Sequence, residues 1–248
     1  MVSSKQSSSL KESLSPFIAI VEADLKNLFK SKLTYGWVVA ALFLEVIRVL
    51  GSRAKGESST VIGSGLSDFL LIWSLIIIGL TASSISSEAG EFADSIMSKS
   101  VTRFDYILAK FSSRIIYVLT VYGAIVFVLA GLSIELVSDD YQPYGLVYSI
   151  LLVALALITL TTLGVSLSTF APNTIIAIIG LLVVWYFMTF FFPLINLGFL
   201  SPSTLSSDLP GNIRNVWSVD EWKTVVGYAG ISLVALVSSM LYFHLKDI

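Results

Sequence analysis

The 248-residue chain contains no cysteine, one histidine and four methionines. Disulfides and thiolate metal sites are therefore excluded, and no other metal-ligand spacing remains. Charge is scarce too: Asp, Glu, Lys and Arg make up 13% of the residues, against about 25% in an ordinary soluble domain. There is no basic arm or cluster, so nucleic acid is not an expected partner. No phosphate-binding loop is present. The nearest approach, Gly51-Ser-Arg-Ala-Lys-Gly56-Glu57-Ser58, has Glu where the phosphate-binding Lys belongs. There is no HExxH, and His244 stands alone at the end of an apolar run, where it suits a helix C-terminus better than a catalytic site. The first dozen residues are polar and rich in Ser, with no apolar h-region, so no cleaved signal peptide is expected. No enzymatic chemistry is expected on this chain.

What remains is apolar. Hydrophobic residues make up 55% of the chain, and the mean hydropathy is +0.86. Six stretches, near 33–50, 66–87, 105–131, 146–170, 174–198 and 224–243, approach the roughly 20 residues that a helix needs to cross a bilayer. None alternates with the period of a barrel strand, and open backbone cannot face lipid. The expected fold is all-α: a polytopic membrane protein of six transmembrane helices in a single domain, 15–248, behind a polar tail, 1–14. If the N-terminus is inside, ten Lys and Arg fall on inner segments and five on outer ones, so both termini are expected in the cytoplasm. The 132–145 connection, with Glu135, Asp139 and Asp140 but no Lys or Arg, suits an outer loop.

Ser15-Pro16 reads as a helix start, Ser capping and Pro at the first helical position. Beyond it Phe17, Val21, Leu25, Leu28 and Phe29 share one face, while Glu22, Lys26 and Lys30 share the other. An amphipathic interfacial helix over 15–31 is expected, either a lead-in that orients the first span or an elbow that also touches a partner. Within the first span Glu45 and Arg48 are three apart and neighbours on a helix. They form either a local ion pair or a substrate or proton site. The hydroxyl-rich ends of spans two and four suit close helix packing or the lining of a pathway, packing being the expectation for most of them. The fifth span is aromatic at Trp185, Tyr186, Phe187, Phe190, Phe191 and Phe192, and Pro193 should kink or end it. These rings suit an interfacial belt with a packed dimer face, or a surface for an amphipathic substrate. Residues 199–223 read as an outer loop broken by Pro202, Pro210 and Gly211, with Trp217 and Trp222 as interface anchors.

The most charge-rich segment is Glu88–Lys110. Glu88, Glu91 and Asp94 lie early and Lys99 and Arg103 late, an order that favours a helix dipole. Phe92 and Ile96 share a face with Met97 beside them, so 88–98 reads as a short amphipathic helix. Thr102 and Asp105 then form a capping box for the third span.

With its amphipathic lead-in, six spans and short helix between spans two and three, the chain resembles the ABC-2 type of ABC transporter permease. Glu88 and Gly90, then Ser100-Val101-Thr102-Arg103, then Ala109-Lys110, match that family's loop pattern. Glu91 stands in place of the common Thr, and Ser100 in place of the common Pro. The resemblance implies that 88–98 is a cytoplasmic coupling helix seated in a separate ABC ATPase subunit. Phe92, Ile96 and Met97 would make its buried contacts, and Glu88, Glu91 and Asp94 its polar ones, with Gly90 and Arg103 part of the pattern. It also implies a second permease copy as a homodimer partner, no cofactor in this chain, ATP and Mg on the ATPase, and export across a cell membrane. Glu45, Arg48, Trp185, Phe187, Phe190 and Phe191 are the candidates for its pathway or dimer face. The rivals are an ATPase-independent secondary transporter or channel and a membrane-embedded transferase. The latter would want an acidic metal cluster, and Asp139 and Asp140 are isolated in sequence.

Overall fold

The computed structural model describes residues 2–53, 56–86, 102–216 and 221–245, with side chains from Pro16 onward except at 243 and 244. Among these residues there are nine α-helices: α1 Val2–Lys30, α2 Lys32–Ser52, α3 Ser58–Leu71, α4 Ser74–Ala82, α5 Arg103–Leu136, α6 Pro143–Phe170, α7 Thr174–Phe191, α8 Pro202–Ile213 and α9 Glu221–Leu245. No strand forms among them; Glu57 and Ser138 make one isolated bridge.

Six segments are long and apolar enough to cross a membrane: α2, α3 with α4, α5, α6, α7 with the turn after it, and α9. The third span starts as expected. Thr102 Oγ1 accepts from the Asp105 N–H at 3.1 Å, the N-cap bond of the expected box, and donates to the Asp105 carboxylate at 2.6 Å. Asn173 caps α7 in the same way, accepting from the Ile176 N–H at 2.9 Å.

α6 is apolar on every side and sits at the centre, against α4, α5, α7, α8 and α9. Its spanning window is 61% buried, as is that of α3–α4, whereas α2, α7 and α9 are each 28% buried. The latter three thus present apolar faces outward to lipid or to another chain. The Ser and Thr side chains act as helix-to-helix fastenings. Thr159 Oγ1 lies 3.0 Å from the Tyr228 carbonyl and 2.8 Å from the Ser232 hydroxyl, and Ser166 donates to the Ala235 carbonyl at 2.7 Å, tying α6 to α9. Gly164 lets α6 meet α4 closely: a Cβ there would lie 2.1 Å from Thr81 Oγ1.

Three sequence expectations change, and the one at Pro193 holds. α1 runs from Val2, so Ser15-Pro16 lies inside the helix instead of starting it. The second span begins eight residues earlier than expected, at Ser58, and is broken between α3 and α4. The break has no Pro or Gly; the Trp73 N–H reaches the Asp68 carbonyl five residues back, and the Ile72 N–H shares that acceptor, both at 2.8 Å. The α-helix of the fifth span ends at Phe191, as Pro193 predicts, and a 3-10 turn, Phe192–Ile195, carries Pro193 and closes on Asn196 in the left-handed region (φ 62°). Finally, 199–223 is not an open loop, because α8 folds back within it against α3 and α6. Pro202 occupies its first turn, where no N–H is needed. Pro210 cannot donate to the carbonyl of Ser206, and the Ser67 hydroxyl of α3 does so instead at 3.2 Å. Gly63 admits the ring, since a Cβ there would lie 2.9 Å from Pro210 Cγ.

Candidate functional site

The expected coupling residues Glu88, Gly90, Glu91, Phe92, Asp94, Ile96 and Met97 lie outside the described residues. The framework that follows them does not. Arg103 opens α5 and is exposed. About two turns further on, α5 meets α1 through a buried charge cluster. Asp24, 8% exposed, accepts from Lys110 Nζ at 3.2 Å and from Ser113 Oγ at 2.5 Å, and lies 3.6 Å from the Arg114 guanidinium. Lys110 and Arg114 are themselves 3% and 7% exposed, and the Lys110 ammonium stands 5.6 Å from the Tyr106 ring. Charges so enclosed persist only with partners. The cluster fixes the amphipathic helix to the start of the third span. Asp24 lies on the apolar face itself, three residues after Val21 and four before Leu28. A carboxylate interrupting that apolar face was the available signal.

Glu45 and Arg48 do pair, at 2.7 Å, and the arginine also bonds to Asp68 of α3, a residue that sequence spacing did not connect. Glu45 is 1% exposed, and its Oε1 has no partner. It faces protein and not lipid: a Cβ on Gly65 would lie 2.7 Å from Glu45 Oε2 and 2.3 Å from Leu129 Cδ2. Two carboxylates thus share one guanidinium between α2 and α3.

Trp185 is fully buried, and its indole N–H donates to the Leu70 carbonyl at 3.1 Å, while the neighbouring Tyr186 hydroxyl donates to that of Leu71 at 2.9 Å. Both acceptors lie at the break in the second span, so α7 supports backbone that the α3 and α4 ladders abandon. Trp185 thus packs inside the chain. Phe187, Phe190 and Phe191 point outward at 47%, 64% and 52% exposure, with Phe187 and Phe191 stacked at 4.7 Å.

At the end of the bundle carrying α8, three connections are stitched together. Asp140 accepts from Ser58 Oγ at 2.9 Å, Ser59 N–H at 2.8 Å and Ser59 Oγ at 2.5 Å, and so caps α3 from another segment. Burial alone would raise the Asp140 carboxyl, but the Ser59 and Ser58 bonds and the charge of Arg214 outweigh it and hold the group below its ordinary value. The Gln142 N–H bonds to the Ile213 carbonyl at 2.9 Å, and Arg214 meets Glu57 at 3.3 Å. Inside this rim, between α6, the turn after α7, α8 and α9, lies a cleft of about 380 Å³.

Five apolar spans around a central sixth, α6, with buried ion clusters where helices meet, define a multi-pass α-helical membrane protein. No family model matches the chain, and no curated protein is similar to it.

Proposed function

We propose that the chain is the transmembrane subunit of an ABC-2 type transporter, an exporter in which two copies pair and two separate ATPase subunits dock on the cytoplasmic side. The observation that carries this reading is the Lys110–Asp24 contact. Lys110 closes the loop pattern that begins at Glu88, and its partner lies on the amphipathic helix. Motion of the 88–98 segment would then pass into α5 and α1 as one body, which a coupling device requires. The thinly covered α2 and α7 supply the dimer face, with Phe187, Phe190 and Phe191 on it. Each ATPase would bring the ATP and Mg, and both termini would be cytoplasmic. The test is gentle affinity purification of the tagged full chain from its native membrane. A P-loop ATPase should accompany it, and Phe92→Asp and Ile96→Asp should lose that subunit while the permease stays in the membrane.

A second reading is an ATPase-independent secondary transporter or channel. The buried Glu45–Arg48–Asp68 cluster favours it, because an enclosed carboxylate with an unpartnered oxygen is what an ion or proton relay uses. Transport that persists without any ATPase and stops in Glu45→Gln would decide for it.

A further inference from the structure

α8 turns a single polar stripe into the 380 Å³ cleft. Thr204, Asp208 and Asn212 recur every fourth residue, so they share one helix face, and all three line the space. Opposite them stand Glu221 and Thr224 of α9, and the rest of the lining is largely apolar, including Leu152 and Phe199. No Lys or Arg is among the described residues that line it. Two features leave hydrogen-bonding capacity on this face unused by the described residues. Asn212 is 2% exposed, and its carboxamide makes no hydrogen bond to another of the described residues. The Asp208 carboxylate has only one long contact, 3.5 Å from Ser207 Oγ on its own helix. A buried amide without a partner costs stability unless a ligand or water meets it. The volume is at the small end of the range for ligand pockets, room for one ring and a short tail.

We propose that this cleft binds a primary ammonium group carried on a small apolar body. The ammonium would donate to the Asp208 carboxylate, the Asn212 carboxamide oxygen and the Thr204 hydroxyl, and the apolar body would lie against Leu152 and Phe199. That chemistry has two sources, a free amine or the headgroup of an ethanolamine lipid, since the cleft opens at one end of the membrane spans. The site requires no ATPase and stands apart from the transporter reading.

The test uses the full chain in phosphatidylcholine nanodiscs and measures equilibrium binding of 2-phenylethylamine, with 2-phenylethanol as the uncharged counterpart. Saturable amine binding is expected, with the alcohol at least about tenfold weaker, as loss of a charge-assisted hydrogen bond implies. Asp208→Asn and Thr204→Val should weaken the amine, the former by roughly 10- to 100-fold, with melting temperatures no lower than the parent's. Adding phosphatidylethanolamine to the disc assigns the source: suppressed amine binding points to the lipid headgroup, unchanged binding to a free amine. Equal binding of amine and alcohol, unchanged binding in a folded Asp208→Asn chain, or no saturable amine binding in phosphatidylcholine discs would overturn the proposal.

Discussion

The Lys110 ammonium of α5 lies 3.2 Å from the Asp24 carboxylate of α1, and both residues are almost wholly enclosed. One acid there serves two bases, so its removal and theirs are not equivalent. Asp24→Ala strips the carboxylate from Lys110 and Arg114 together and should cost on the order of 3 kcal/mol. Lys110→Met leaves Asp24 with Arg114 at 3.6 Å and the Ser113 hydroxyl, and should cost clearly less. Thermal unfolding in detergent, with limited proteolysis of α1 as a second readout, checks the order. Equal losses would show that the pairing is not shared in this way.

The break in the second span depends on α7. Trp185→Phe and Tyr186→Phe each remove one donor from the carbonyls of Leu70 and Leu71 while keeping most of the ring packing. Each should destabilise by about 0.6–1.7 kcal/mol, the range for hydrogen bonds between membrane helices. Faster amide exchange should be confined to the residues around Ile72 and Trp73. Unchanged exchange there would mean that the break supports itself.

Two glycines set how closely α8 seats. A Cβ on Gly145 would lie 2.2 Å from the Asn212 carbonyl oxygen, and one on Gly63 2.9 Å from Pro210 Cγ, so neither contact can be relieved by turning a flexible side chain. Gly145→Ala and Gly63→Ala should each cost about 1–3 kcal/mol. Gly36→Ala, with nothing within 4 Å, should be neutral or stabilise by up to about 1 kcal/mol. Unfolding midpoints of the three variants test this contrast.

The rim has two carboxyls that respond oppositely to acid. Asp140 is held below its ordinary value, so its contribution is complete above the unfolded carboxyl value of about 3.9 and is lost as pH falls through the lower folded value. Burial raises Asp208, only partly offset by the Ser207 contact, so its ionised form opposes folding at neutral pH and protonation stabilises as pH falls through the raised value. Asp208→Asn should therefore raise the melting temperature at pH 7, and Asp140→Asn should lower it. Melting curves between pH 3 and pH 7 would show both effects, and the same sign for both substitutions would contradict the assignment.

The long apolar runs were legible because six helices satisfy their own backbone and need little else from the sequence. So was the cap at Thr102, which depends on Asp105 three residues on. The second-span break was not legible. It lacks Pro and Gly, and its supports, Trp185 and Tyr186, come from a helix more than a hundred residues away. α8 was hidden by two prolines that read as breakers. One sits where no N–H is required, and the other is compensated by Ser67 from α3. Asp68 and Asp140 were invisible as functional partners for the same reason: Arg48 and the Ser58–Ser59 pair reach them only through the fold.

The central claim is that force enters through the 88–98 segment from an ATPase on another chain. The most direct measurement is ATPase activity of the purified complex, reconstituted in lipid, with the parent chain and with Ile96→Asp. The account predicts that a P-loop ATPase co-purifies with the parent and that Ile96→Asp abolishes both its association and its coupled activity. Full ATPase association with Ile96→Asp, or no ATPase with the parent chain under gentle extraction, would contradict it.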